Sequence, residues 1–232
     1  IPMPTKQELV NKLVEIDSGD YAASHYERFV QSYYTIAPFI KDGMKIVDIG
    51  SYGHFQKLVQ AFHPNVEFPT ERTDFDLRYP FPIDSEKYDM VFCMEVIEHI
   101  KDQNEEGDIE KLAEFSQSGV KNLMTEIRRI LKPNGIFFLT TPNINSYMSI
   151  HRALNYYSPT FYLPHVKEWS IQEMHELHRN HSFEVGLATT EDVFAFRQLP
   201  RQRIRSLCHE NGYGTDLRGD IMLFVSTKKA TD

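Results

Sequence analysis

The chain is poor in the residues that staple or anchor a protein. Two cysteines in 232 residues, Cys93 and Cys208, are too few for a disulfide framework and point to a reducing, cytoplasmic setting. No stretch approaches the roughly 18 apolar residues that a bilayer span requires, and the N-terminal IPMPTKQEL lacks a charged-then-apolar signal pattern. Positive charge is scarce too: 25 Lys and Arg against 33 Asp and Glu leave a net charge of −8. That balance argues against a broad phosphate-tracking surface, so nucleic acid is not an expected partner. Repeats and low-complexity linkers are absent. What is present is 41% hydrophobic content, enough to bury one sizeable core, and residues 1–232 read as a single domain.

The most informative stretch is MKIVDIGSYG, residues 44–53. An apolar run ends in Asp48 and opens directly into a loop with Gly50 and Gly53, which can take positive φ or admit a ligand where a Cβ would clash. The following HFQKLVQAF starts a helix whose leading N–H groups face such a ligand. Two later blocks repeat the strand theme. YDMVFCMEVIEHI (88–100) is a buried strand ending in an acidic, His-bearing turn, and LKPNGIFFLTTPN (131–143) is a helix stop, a turn and a strand.

Around these blocks, Thr5 with Glu8 and Ser170 with Glu173 form capping boxes, the second opening a helix to about Arg179. Residues 20–40 carry aromatics at helical spacing, and residues 109–132 read as a long amphipathic helix through Leu112, Phe115, Val120, Leu123, Ile127 and Leu131. VEF at 66–68 is a reduced second strand; FEVGLAT and DIMLFVST close the sheet.

The order and spacing of the three blocks resemble the class I S-adenosylmethionine-dependent methyltransferases, in particular the quinone, sugar and natural-product O-methyltransferases, and the resemblance runs from about residue 20 to the end. A dinucleotide site wants G-x-G-x-x-G for close approach to a pyrophosphate; here the loop reads D-x-G-x-x-G, and an acid suits a cationic cofactor. The resemblance implies an α/β, Rossmann-like, doubly wound sheet of seven strands, mostly parallel with an antiparallel last strand. It also implies a helical cap over residues 1–40 and an acceptor-side insertion at 144–168. Asp48, Gly50, Ser51, Tyr52 and Gly53 would hold the amino-acid end of S-adenosylmethionine. The ribose acid is Glu71 or Asp74, or is missing; Asp76 would receive the adenine amino group, or serve a turn; Cys93 and Met94 would line the adenine or sulfonium region, or fill the core.

The sharpest chemical feature is E-x-x-E-H at Glu95, Glu98 and His99. On a helical turn these positions share one face, and oxygen ligands with an imidazole suit Mg²⁺ or Mn²⁺. The motif resembles the metal-binding motif of small-RNA 2′-O-methyltransferases and quinone O-methyltransferases. In the RNA enzymes a further His lies downstream, and His165 in His165-Val-Lys-Glu168-Trp169-Ser170 matches it. The other reading has the acids capping a helix and a His as base.

A hydroxyl acceptor must lose its proton to a base or to a metal, and His99, His165 and His151 are the candidate bases. Tyr147, Tyr156, Tyr157, Phe161 and Tyr162 of the insertion would wall the acceptor pocket. The leading function is O-methylation of a small molecule, a sugar, an aromatic or a natural-product intermediate. RNA 2′-O-methylation and a non-catalytic methyltransferase-like partner are the alternatives.

Overall fold

The structure, a computed structural model, describes residues 2–69, 73–104, 117–194 and 198–230. Helices α1 (Lys6–Ile16) and α2 (Asp20–Ile36) lead into β1 (Ile46–Asp48) and α3 (His54–Phe62). After them come β2 (Tyr88–Met94), a 3₁₀ turn at Ile97–His99, α4 (Ser118–Ile130) and β3 (Leu131–Pro142). The chain closes with α5 (Tyr147–Leu154), α6 (Ile171–Asn180), β4 (Phe183–Glu191), α7 (Gln198–Glu210) and β5 (Ile221–Lys228). Both capping boxes form: Thr5 and Glu8 bond reciprocally at the start of α1, and Ser170 and Glu173 at the start of α6.

The sheet order is β1-β2-β3-β5-β4. Strands β1, β2 and β3 are parallel, and β5 runs antiparallel between β3 and β4. Strand residues alternate between two cores, as a two-residue period requires. Val47, Val91, Cys93, Phe137, Leu139 and Phe224 face one core with Leu123 and Ile127 of α4 and Met174 of α6. Ile46, Met90, Phe92, Phe138 and Val225 face the other with Phe29 and Tyr33 of α2 and Phe55 and Leu58 of α3. Helices therefore cover both faces, the doubly wound arrangement expected.

The expected seven strands are not seen among the described residues, which hold five. VEF is reduced to a single parallel bridge between Glu67 and Lys45. Beyond it Pro69, Pro80 and Pro82 deny the backbone the donors a ladder needs, and the described part of 68–87 forms turns and loops. Leu112 and Phe115 lie outside the described residues; the described helix starts at Ser118 and ends at Ile130, because Leu131 turns extended and enters β3. No helix among the described residues is long and apolar enough to cross a membrane.

Candidate cofactor and acceptor cleft

The carboxyl ends of β1, β2 and β3 open into a cleft of about 1100 Å³. Open parallel sheets put ligands there because the loops diverge beyond the strand ends. Gly50 and Gly53 have φ of +76° and +82°, values that favour glycine. At Gly50 a Cβ would also meet both Val96 methyls at 3.0 Å, so this glycine serves the protein's own packing as well as ligand approach. Gly53 is the N-cap of α3 and offers no side-chain acceptor to it.

Asp48 ends β1 and is almost wholly buried. Its Oδ2 accepts the Ser51 hydroxyl at 2.6 Å, while Oδ1 is buried without a partner. Burial pushes its carboxyl up to about 7, against the Ser51 hydrogen bond and the attraction of Arg28. Neither Asp48 nor Gly53 is on the wall of the cleft or of the smaller recess beside it. Tyr52 projects at the mouth, 86% exposed.

The other cofactor candidates divide. Met94 lies with Gly50, Ser51, Tyr52 and Phe55 around a smaller recess beside the cleft. Cys93 does not line the cleft: strand alternation turns it into the core beneath α4, and burial drives its thiol well above its usual range. Asp74 and Asp76 are exposed and off the cleft wall. Asp76 is taken by Arg78 two residues on, through Nε at 3.0 Å and Nη2 at 2.8 Å, which holds its carboxyl below the usual range. Glu71 lies outside the described residues.

On the floor, Glu98, His99 and His165 offer one donor atom each, all within 4.8 Å of one another. Glu98 is 1% exposed; its Oε2 accepts Thr141 Oγ1 at 3.0 Å, and its Oε1 has no hydrogen-bond partner, with His99 Nε2 3.9 Å away. Burial, then the nearby Glu95, raises its carboxyl well above the usual range. His165 Nδ1 lies 2.6 Å from Glu168 Oε1, which also accepts the Phe161 N–H at 3.0 Å. That bond fixes the ring and directs Nε2 away from Glu168. The His99 and His165 rings meet edge to face, with centroids 4.7 Å apart. Burial, then His165, holds the His99 imidazolium below its usual pKa.

Glu95 departs from the expected group of four. Its backbone is left-handed, with φ +56°, and the turn after it is 3₁₀ and begins only at Ile97. Glu95 therefore leaves the face shared by Glu98 and His99 and accepts Thr140 Oγ1 at 2.9 Å, although it still lines the cleft. His151 is not on the cleft wall: two residues past Ser149, which is, it points about 200° around α5.

Of the insertion aromatics only Phe161 and Tyr162 line the cleft. Tyr147 is buried against α7 with its hydroxyl donating to Thr215 O at 2.7 Å, and Tyr156 is 100% exposed. The expected helical cap over residues 1–40 carried no assigned site residues, yet Tyr21, Ser24, His25 and Arg28 of α2 reach the cleft. Their spacing of i, i+3, i+4 and i+7 is the signal, a helical stripe. Phe194 and Asp220, from the ends of distant elements, had no such signal.

A methyltransferase-domain family model matches residues 21–186, a span that contains the glycine loop, the strands β1, β2 and β3, and Glu98, His99 and His165. The chain belongs to the S-adenosylmethionine-dependent methyltransferase domain family. No curated protein sequence matches it. Solved structures share the methyltransferase fold. A Haloferax volcanii chain named as a methyltransferase, solved with the Trm112 methyltransferase activator, is 15% identical, with a TM-score of 0.55 and 99% of each chain covered. A Thermotoga maritima methyltransferase, a candidate histamine N-methyltransferase, is 13% identical, with a TM-score of 0.55 and coverage of 95% of this chain and 99% of that one. An Archaeoglobus fulgidus S-adenosylmethionine-dependent methyltransferase is 14% identical, with a TM-score of 0.52 and coverage of 87% and 94%.

Proposed function

We propose that this methyltransferase-domain protein transfers a methyl group to a hydroxyl of a small molecule. The observation that carries the reading is the convergence in the cleft of two imidazoles and one buried carboxylate oxygen without a hydrogen-bond partner, with Phe161 and Tyr162 lining the same cleft. S-adenosylmethionine supplies an already activated methyl, so the residues of the chain have to align the acceptor, exclude water and take its proton. The Asp48–Gly53 loop fits the cofactor: Asp48 Oδ1 has no partner, and both glycines keep the backbone open. Ser51, Tyr52 and Met94 complete that side, and Asp74, Asp76 and Cys93 have no place in the proposal.

His165 is the proposed base. Glu168 holds its Nδ1, leaving Nε2 to receive the acceptor proton, and the carboxylate stabilises the imidazolium that results. Glu98, His99 and His165 also fit a divalent cation such as Mg²⁺ or Mn²⁺: Glu98 Oε1 has no hydrogen-bond partner and lies 3.9 Å from His99 Nε2, and burial of His99 favours the neutral imidazole that ligates. Such an ion, when bound, lowers the pKa of an acceptor hydroxyl. Phe161 and Tyr162 would press on a flat or ring-shaped acceptor.

The test is a methyl-transfer assay with labelled S-adenosylmethionine across hydroxyl, amine and carboxyl acceptors, repeated after exhaustive chelation. Transfer to hydroxyl acceptors supports the reading, and transfer confined to amines overturns it. Loss of turnover on chelation with recovery on Mn²⁺ supports the cation, and full turnover without metal leaves His165 as base alone.

A further inference from the structure

The insertion beside the cleft leaves an unusual share of its apolar side chains in water. Tyr156 is 100% and Leu163 92% exposed, and Leu154, Tyr157 and Val166 are exposed as well. Phe161 and Tyr162, from the same segment, are exposed and line the cleft, so this surface reaches the cleft mouth. Large apolar side chains gathered in this way mark a docking surface.

The segment has fixed local structure. The N–H groups of Tyr156 and Tyr157 donate to Ala153 O and Arg152 O at 3.1 and 3.0 Å. Arg152 Nε donates to Ser158 O at 2.8 Å, and its guanidinium lies over the Tyr157 and Phe161 rings. Tyr156 has left-handed backbone, with φ +64°, a conformation that bulky side chains seldom take. The turn therefore tolerates strain while it holds an aromatic ring out in solvent.

Charge identifies what the surface meets. The chain carries −8 overall, yet residues 144–167 contain no Asp or Glu and do contain Arg152 and Lys167. Helix α7 packs on α5 through Ile204 and Cys208 and adds Arg201, Arg203 and Arg205 before its last residue, Glu210. Arg201 is paired with Asp192 and Asp220, and Lys167 with Glu173. Arg152, Arg203 and Arg205 make no ion pair among the described residues. This lobe is basic and apolar on a molecule that is otherwise strongly acidic, so it alone is drawn to an anionic surface. Tyrosines with polar tips, aliphatic side chains and arginines together suit a lipid headgroup boundary. Nucleic acid would call for cations along a groove, not for exposed Leu163 and Val166.

We propose that the lobe formed by residues 154–166 and α7 docks on the surface of an anionic lipid bilayer, with the cleft mouth beside the headgroups. The attachment is peripheral: the apolar side chains enter the headgroup boundary and the arginines meet lipid phosphates.

The test is co-sedimentation of the whole chain with vesicles of phosphatidylcholine alone, or mixed with phosphatidylglycerol, at low and high salt. Binding is expected to the mixed vesicles and should weaken with salt. Leu163→Ser should weaken it at least about tenfold, the loss of one buried leucine, and Arg203→Gln and Arg205→Gln about fivefold each. Tyr156→Asn should weaken it while the melting temperature holds or rises, because asparagine accepts left-handed backbone. Val14→Ser, at an exposed apolar position on α1, should bind as wild type does.

Wild-type protein that stays in solution beside mixed vesicles would overturn the proposal. So would equal binding to vesicles without phosphatidylglycerol, or undiminished binding by folded Leu163→Ser and Tyr156→Asn. A dimer that Leu163→Ser dissolves would overturn it in favour of a contact between copies of the chain. A single-stranded RNA oligonucleotide bound by wild type and lost in these variants would overturn it in favour of nucleic acid. Vesicle binding is read without methyl transfer, so its failure leaves the methyltransferase reading standing.

Discussion

Replacing Asp48 with Asn should exchange cofactor affinity for stability. Burial lifts the Asp48 carboxyl from 3.8 to about 7. About three units at about 1.4 kcal/mol each correspond to about 4 kcal/mol. The folded protein holds this proton up to about pH 7, the unfolded chain only to about pH 4. Between those values the folded state binds more protons, so this group's stabilising contribution is present at low pH and is lost as pH rises towards about 7. Asparagine keeps the shape and can still accept the Ser51 hydroxyl, now 2.6 Å from Oδ2. Its amide nitrogen would replace the unpartnered Oδ1 at a cost of about 1–3 kcal/mol. Asp48→Asn should therefore be more stable than wild type by about 1–3 kcal/mol near pH 8, with the gain vanishing or reversing near pH 4. Urea denaturation at both pH values reads this, and calorimetry with S-adenosylhomocysteine should show at least about tenfold weaker binding. A variant less stable than wild type near pH 8, or a gain equal at both pH values, would refute the reasoning.

Three further outcomes are expected. His178 lies buried between Phe137 and Phe224, and burial lowers it from 6.5 to about 4; the unfolded chain takes its proton first, so stability falls by about 3 kcal/mol as pH drops across that window. His178→Phe should flatten that acid limb in a pH series of denaturation curves, and an unchanged limb would clear His178 of it. Glu168→Gln should lower kcat at least about tenfold with cofactor affinity unchanged, and Glu168→Asp should recover part of it; steady-state kinetics showing an effect in KM alone would remove Glu168 from the positioning of His165. Tyr162→Ala should raise acceptor KM while Tyr156→Ala leaves it unaltered, because only Tyr162 lines the cleft; equal effects from both would contradict that wall.

Periodicity and local punctuation made much of this fold legible. The strand ending at Asp48, the glycine loop and both capping boxes are local events, settled by residues a few positions apart, and they formed as read. The missing strands were harder, because an apolar VEF reads as a strand whether or not its neighbour exists, and the prolines at 69, 80 and 82 decided otherwise. Side-chain direction was the main loss at the site. One residue's shift along β2 sends Cys93 into the core and Met94 to the recess, and a left-handed Glu95 removes one acid from a motif that looks helical on paper. Arg28 shows the reverse failure. Its isolation is a tertiary fact, since only the folded chain reveals that its buried Nε has no hydrogen-bond acceptor among the described residues.

The loop from Asp48 to Gly53 and the cleft beyond it are proposed to form an S-adenosylmethionine site. Calorimetric titration of the unaltered protein with S-adenosylhomocysteine tests it most directly. Saturable binding at about one ligand per chain is expected, accompanied by a higher melting temperature in the complex. No heat of binding and no thermal shift at ligand concentrations up to about 1 mM, which would leave binding weaker than about −4 kcal/mol, would contradict it.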